Sequence, residues 1–237
     1  TLEEGKTFGQ AARKAGVSHI FFHSIYLINL ATDNPELLAK SKQSLISALN
    51  LNAAMMGNGV IFHVGSSKER TFKDARDGAA KNINDIIKQS DSKSVLVIET
   101  NAGQGNNIGD TFEEIASLLD GIQAKDRVAV CLDTAHTYAS GYDLVGKGAE
   151  AIIEEFDKIV GNKNLVAIHC NDSKTDLNSH VDRHENIGLG KLGDKPFREL
   201  LHLPQLKNIP FILEVPGIDG KSGPDRANVD KLKSLAT

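Results

Sequence analysis

Short, branched apolar runs alternate along the whole chain with longer segments in which apolar residues recur at helical spacing. The runs read SHIFFH, VIFH, VLVIE, VAVCLD, LVAIH and FILE. The clearest helical stripes are Leu38, Leu45 and Leu49, which follow a start signal at Asn34 and Pro35, and Phe72, Ala75, Ala79, Ile83 and Ile86. Pro196 predicts the start of a further, short helix. Continuous apolar strands that alternate with helices are typical of an α/β protein with a parallel sheet.

The spacing of the strand ends indicates the architecture. The runs end at residues 23, 63, 99, 133, 169 and 214, which gives intervals of 40, 36, 34, 36 and 45. This rhythm predicts a TIM-type (β/α)8 barrel and disfavours a doubly wound open sheet, in which ligands gather at one switch point. Eight such units need more than 237 residues, and the chain starts with a predicted helix. We therefore expect one barrel domain over residues 1–237, incomplete at its amino end and lacking its first two strands.

Charge and cysteine content narrow the function classes. A net charge of −4 and a pI of about 6.1 disfavour a broad basic surface for nucleic acid, although bound cations would supply positive charge at one spot. Cys131 and Cys170 are the only cysteines, which favours a reduced intracellular protein, with a disulfide between adjacent strands as the alternative. Because no apolar stretch approaches the ~18 residues of a membrane span, we expect a soluble protein.

Potential metal ligands lie at the ends of the apolar runs, singly or in tight pairs. They are His23, His63, Glu99, Asp133, His136, His169, Asp182, His184 and Glu214. Each alone could be a solvated or hydrogen-bonded strand-end residue. Together, imidazoles and carboxylates without a thiolate favour zinc or a similar divalent ion in open, catalytic geometry.

Two closely spaced pairs can share a metal site only if the backbone between their members has a particular conformation. Asp133 and His136 converge only if the chain turns or starts a helix directly after the strand, whereas Asp182 and His184 share a side if their segment is extended.

A carboxylate at a strand end can also bridge two cations, as Glu99 and Glu214 could. Paired zinc ions ~3.5–4 Å apart suit attack on a phosphodiester, so the pattern favours hydrolysis. Lys174 and Arg183 could contact phosphate oxygens or be solvated loop charges.

Seven longer motifs carry a family resemblance. They are HSIYLINL, FHVGS, IETNAGQG, CLDTAHTYASGYDL, HCNDSK, VDRHENIGLG and ILEVPG. In order and over essentially the whole chain, they resemble endonuclease IV, the family of zinc-dependent apurinic/apyrimidinic endonucleases.

The resemblance implies three zinc ions and the residues that hold them. His23, His63 and Glu99 would bind the first ion, and Glu99 would bridge to a second ion. That second ion would also be bound by Asp133, His169 and Glu214. The third would take His136, Asp182 and His184. Glu99 and Glu214 are the expected catalytic carboxylates.

The resemblance also implies the reaction and the partner. Family members cut DNA on the 5′ side of an abasic site in base-excision repair and leave a 3′ hydroxyl, and some also remove 3′ blocking groups as 3′-phosphatases or 3′-phosphodiesterases. The partner would be double-stranded DNA with abasic sites, bound by a chain that is monomeric at full length. We expect it in the cytoplasm with the nucleoid, or in the nucleus of a eukaryote.

Four residues are expected to contact that DNA. Tyr26 and Leu27 match a family loop that penetrates the duplex, although Tyr26 could instead pack under the neighbouring loop. Lys174 and Arg183 would contact phosphates.

Two other hypotheses remain open at this point. One is a metal-dependent sugar isomerase or epimerase of the xylose-isomerase-like barrel group, which leaves His63, His136 and His184 without a role. The pair of Asp182 and His184 discriminates against it. The other is an inactive, truncated fragment that still binds zinc.

Overall fold

The structure is a computed structural model that describes residues 1–68, 70–218 and 223–237. Its strands are β1 (Phe21–His23), β2 (Gly59–Phe62), β3 (Leu96–Glu99), β4 (Val128–Asp133), β5 (Leu165–His169), β6 (Asp172–Ser173), β7 (His184–Glu185) and β8 (Phe211–Ile212). Its helices are α1 (Leu2–Lys14), α2 (Pro35–Ala54), α3 (Phe72–Gln89), α4 (Phe112–Asp120), α5 (Thr134–Ala139), α6 (Ala149–Ile159), α7 (Asp194–His202) and α8 (Arg226–Leu235).

Contacts between Cα atoms divide the chain into two compact units. The first unit consists of Thr1–Glu99, Gly105–Ile108 and Glu114–Val130. The second consists of Thr100–Gln104, Gly109–Glu113 and Cys131–Thr237. The single domain expected over residues 1–237 stays a prediction.

Parallel strands form the centre of the first unit. β1 pairs with β2 and β2 pairs with β3, with His23 opposite Ile61 and Phe62 opposite Ile98. All residues of β2 and β3 are buried, which explains why these runs are apolar up to Glu99 and do not alternate. Because the strands are parallel, their carboxyl ends share one edge of the sheet.

Helix signals in the first unit act as the sequence predicts. Thr1 and Glu4 form a capping box at the start of α1, and the Asn34 side chain accepts hydrogen bonds from two backbone amides of the first turn of α2. Gly9 lies against the end of α2, where a Cβ would overlap the Met55 carbonyl. Only glycine allows α1 to approach α2 this closely.

Parallel strands also occur in the second unit. It contains the end of β4, then β5 and β8, and β5 pairs in parallel with β8, with His169 opposite Ile212. A short antiparallel ribbon of β6 and β7, which the sequence did not predict, places Ser173 opposite His184.

One predicted helix start is wrong by two residues. α7 begins at Asp194, whereas the sequence predicted a start at Pro196. Proline is tolerated in the first helical turn because the amide it lacks has no intrahelical partner there.

A buried carboxylate anchors the loop between β7 and α7. Asp172 accepts backbone hydrogen bonds, at 2.8 to 3.3 Å, from Ser173, Gly188, Gly190, Leu192 and Gly193. Burial raises the pKa of Asp172, and the hydrogen bonds from the loop oppose that rise. The loop therefore has a fixed path beside the ribbon.

Both cysteines are buried and neither forms a disulfide, and burial raises the pKa of Cys170. The structure therefore contains the reduced pair and not the alternative disulfide. No helix in the described part of the chain is both long and apolar enough to cross a membrane.

Tyr142 joins a loop of the second unit to the start of α4. Its ring stacks on Phe112 with centroids 3.9 Å apart, and its hydroxyl oxygen accepts a hydrogen bond from the Phe112 amide at 2.7 Å. Burial raises the pKa of Tyr142 to about 12. Because the folded pKa lies above the ordinary value of 10, stability from this residue is present below pH 10 and is lost as the pH rises towards 12.

Replacement of Tyr142 by phenylalanine should lower the free energy of unfolding by about 1–3 kcal/mol, because the buried Phe112 amide loses its acceptor while the stacked ring remains. Urea unfolding at pH 7 would measure the change. The control is Tyr26→Phe, whose ring is 78% exposed and whose stability should equal that of the wild type. Equal stability of Tyr142→Phe and wild type would contradict the role of this hydrogen bond.

Candidate metal-binding clusters

Three strand ends of the first unit bring two imidazoles to one buried carboxylate. His23 and Glu99 end β1 and β3, and His63 follows β2 directly. His23 Nε2 lies 2.8 Å from Glu99 Oε2, and His63 Nε2 lies 3.6 Å from the same oxygen. Glu99 is 1% exposed, so its charge is far from water and needs cationic partners.

In the second unit, the turn after β4 brings His136 back towards Asp133. Asp133 ends β4 and is the N-cap of α5, where its Oδ1 accepts a hydrogen bond from the His136 amide at 2.8 Å. This helix fulfils the condition under which Asp133 and His136 can converge. Both side chains are buried.

Asp182 and His184 complete this group from the ribbon. His136 Nε2 lies 3.1 Å from Asp182 Oδ1, and His184 Nε2 lies 3.5 Å from the same oxygen. The distance from His184 Nε2 to Asp133 Oδ2 is 3.7 Å. Residues predicted from two separate motifs therefore come together.

The imidazole rings of His136 and His184 face each other with their Nε2 atoms. The Nε2 atoms of His136 and His184 are 3.3 Å apart. His136 Nδ1 is 2.9 Å from the Thr100 carbonyl, and His184 Nδ1 is 3.2 Å from the Glu214 carbonyl. A carbonyl only accepts, so each Nδ1 is the donor, and in the neutral form of the ring Nε2 carries a lone pair. Two facing lone pairs repel unless a proton or a metal cation lies between them.

A third group of the second unit contains Asp133, His169 and Glu214, which stand at the ends of β4 and β5 and just after β8. His169 Nδ1 lies 3.0 Å from Glu214 Oε2 and 3.9 Å from Asp133 Oδ2. Glu214 is partly exposed, with 33% of its side chain accessible, and His169 and Asp133 are buried.

The groups fit a zinc ion in spacing and in donor type. Ligands of a tetrahedral zinc, each about 2.0–2.1 Å from the ion, lie about 3.3 Å apart. Ligand atoms lie within 4.8 Å of one another in the group of His23, His63 and Glu99 and in the group of Asp133, His136 and His184. The hydrogen bonds from Nδ1 of His136 and His184 to carbonyls match the usual outer contacts of metal-bound histidine. The bridging role expected for Glu99 stays a prediction.

The residues expected at the DNA lie on exposed segments. Tyr26 and Leu27 are 78% and 72% exposed and follow His23 by three and four residues. This exposure excludes the alternative in which Tyr26 packs under a neighbouring loop.

Lys174 and Arg183 are exposed on the ribbon. The Lys174 amide donates a hydrogen bond to the Arg183 carbonyl at 2.9 Å, so the two residues lie side by side across the ribbon. Their contact with phosphate stays a prediction.

The sequence did not predict a shell of uncharged residues around the ligands. Thr100 Oγ1 accepts a hydrogen bond from the Asp133 amide, and Thr134 Oγ1 donates to the His169 and Asn171 carbonyls. The Asn171 side chain contacts both the Asp133 carboxylate and the Glu214 amide. In the sequence, each of these residues lies close to a predicted ligand. That position alone does not predict which groups their side chains contact.

Comparisons with known proteins show which family and which proteins this chain resembles. A family described as the xylose isomerase-like TIM barrel matches residues 2–235. A protein of Akkermansia muciniphila named probable endonuclease 4 is 35% identical over 216 residues, which cover 91% of this chain and 77% of that protein.

Two solved structures are similar in fold. Endonuclease IV from Thermus thermophilus has a TM-score of 0.83 and 32% identity, with 99% of this chain and 82% of that chain covered. A D-tagatose 3-epimerase-like protein has a TM-score of 0.75 at 18% identity, with the same coverage, and shows the fold alone.

These matches confirm the α/β barrel class predicted from the rhythm of the strands. They also confirm the resemblance that the motifs indicated. The chain belongs to the endonuclease IV family, within the xylose isomerase-like TIM barrels.

Proposed function

We propose that this chain is a zinc-dependent AP endonuclease of base-excision repair. It hydrolyses the phosphodiester on the 5′ side of an abasic site in double-stranded DNA and leaves a 3′ hydroxyl, and it also removes 3′ phosphates and 3′ phosphodiester fragments. It acts as a monomer in the compartment that holds the DNA. Relatives named endonuclease 4 or endonuclease IV at 32–35% identity support the proposal.

The observation that carries the proposal is the pair of facing Nε2 atoms in His136 and His184, 3.3 Å apart beside Asp182. A divalent cation removes the repulsion between the lone pairs and balances the carboxylates. A sugar isomerase with one or two ions leaves this group without a function, whereas a three-zinc nuclease uses it.

The ligand groups supply what hydrolysis of a phosphodiester needs. Zinc, when bound, lowers the pKa of water towards ~7 and neutralises charge that develops on the phosphate. Glu99 and Asp133 hold buried negative charge at the carboxyl edge of their strands, and His23 and His184 direct Nε2 at them. Glu214 and Asp182 are partly exposed, so both carboxylates have access to substrate.

The exposed residues explain how a chain with a net charge of −4 binds DNA. Lys174 and Arg183 offer two neighbouring cations for phosphate oxygens. Tyr26 and Leu27 form an exposed apolar wedge next to the ligand His23, suited to enter the base stack while the abasic nucleotide turns out of it.

Removal of metal should abolish incision. A duplex with one stable abasic-site analogue should be cut immediately 5′ of the lesion by the zinc-loaded chain. Prolonged chelation should reduce the rate by more than about 100-fold, and added zinc should restore it. An undamaged duplex of the same sequence is the control. Activity that survives prolonged chelation would refute zinc dependence, and a zinc-loaded chain that never cuts would refute the nuclease.

Replacement of Glu99 by glutamine should reduce incision by more than about 100-fold. Loss of a residue that only hydrogen-bonds to a metal ligand already lowers activity by up to about 100-fold, and this change alters the ligand itself. The amide keeps the shape of the side chain but removes its charge. Incision rates and bound zinc per chain would be measured for the variant and for Glu150→Gln, an exposed glutamate on α6. Turnover of Glu99→Gln at the wild-type rate would rule out its assignment as a ligand.

Joint replacement of Tyr26 and Leu27 by alanine should weaken binding to the abasic duplex by on the order of tenfold, because stacking on a base is worth about 1–3 kcal/mol. Zinc content should not change. Fluorescence anisotropy with a labelled duplex would measure the affinity. Phe8→Ala, which truncates an aromatic residue 57% exposed on α1, is the matched control. If both variants bind like the wild type, the wedge assignment is wrong.

A further inference from the structure

Asn171 is a buried side chain that contacts candidate ligands from two different strand ends. Its Nδ2 donates a hydrogen bond to Asp133 Oδ2 at 2.6 Å, and its Oδ1 accepts one from the Glu214 amide at 2.7 Å. The residue is 0% exposed. These partners fix the orientation of the side-chain amide. In the flipped orientation, Oδ1 would face the Asp133 carboxylate and the NH2 group would face the Glu214 N–H, and both contacts would be repulsive.

The first of these contacts fixes the Asp133 carboxylate. Its Oδ1 accepts the His136 amide and its Oδ2 accepts Asn171, so each oxygen has one donor and the group cannot rotate freely. Oδ2 then faces His184 Nε2 at 3.7 Å.

The second contact fixes the backbone of Glu214, which lies two residues beyond the end of β8 and outside the strand pairing. Its amide is bound by Asn171, and its carbonyl lies 3.2 Å from His184 Nδ1. The position of Glu214 thus affects a second candidate ligand, His184.

Asn171 is itself held from the other side. Its backbone amide donates to Thr134 Oγ1 at 2.9 Å, and Thr134 Oγ1 lies 2.6 Å from the Asn171 carbonyl. Thr134 is the first residue of α5 and is 0% exposed. The side chain of Asn171 therefore extends from a backbone that cannot shift easily.

The geometry points to Asn171 as a positioning residue that sets the separation of Asp133 and Glu214 and thereby the zinc affinity of the second unit. This inference rests on the proposed function for the identity of the metal. Asn171 donates to a ligand and does not itself bind the ion. Its loss removes one of the two donors that fix the Asp133 carboxylate and the hydrogen bond that Asn171 makes to the Glu214 amide, so the two ligands are held less closely to the spacing that one ion needs.

The test is a zinc titration of the metal-free full chain against a chromophoric chelator, with bound zinc per chain measured after gel filtration. The variant is Asn171→Leu, which has a similar volume and makes neither hydrogen bond. Its matched control is Asn52→Leu. Asn52 is also 0% exposed and accepts a hydrogen bond from Ser94 in the first unit. Circular dichroism and thermal unfolding of the metal-free proteins check that each variant folds.

We expect zinc affinity to fall about 10- to 100-fold in Asn171→Leu and to stay within about twofold of the wild type in Asn52→Leu. The rise in unfolding temperature that zinc produces should shrink in the first variant alone. Zinc affinity at the wild-type value in folded Asn171→Leu would overturn the inference, as would an equal loss in both variants.

If Asn171→Leu does not fold, Asn171→Ser replaces it, because the smaller side chain admits water to the Glu214 amide while the fixed donor to Asp133 is lost. Wild-type zinc affinity in that variant would also overturn the inference. Incision by the wild type is measured separately. A wild type that binds zinc but does not cut DNA refutes the nuclease and leaves the titration valid, whereas a wild type that binds no zinc overturns both.

Discussion

The second unit depends on the stabilisation of one buried negative charge, the carboxylate of Asp133. A carboxylate removed from water is costly unless hydrogen bonds and cations compensate it. Both of its oxygens accept hydrogen bonds, one from the start of α5 and one from Asn171, and three imidazoles lie within 4 Å of it. The turn into α5, the end of β5 and the segment after β8 are thus drawn to one point by the same group.

Much of the candidate site could be predicted because its ligands end apolar runs. A buried strand must be apolar, so the first imidazole or carboxylate after it is conspicuous in the sequence, as His63 is after VIF. His136 could be predicted only under a condition, a helix directly after Asp133, and α5 meets that condition. The expectation that Tyr26 contacts DNA depended on the family resemblance alone.

The remaining features could not be predicted because their signals are not local. β6 and β7 have two residues each, too few for any periodicity to appear. Asn171 is one asparagine in HCNDSK, and its partners Asp133 and Glu214 lie 38 and 43 residues away in the chain. Its contacts exist only after the strands have paired. The early start of α7 has a simpler cause, because Pro196 marks the first turn without fixing its first residue.

The loop that Asp172 anchors has a consequence for how the chain can vary. Gly188 and Gly193 adopt positive φ angles, and a Cβ on Gly190 would overlap both Asp172 and the Ser173 carbonyl. At Gly190 there is space for a glycine backbone only. The Ser173 carbonyl and the positive φ angles do not depend on the Asp172 side chain, so replacement of the carboxylate alone would leave all three positions restricted to glycine.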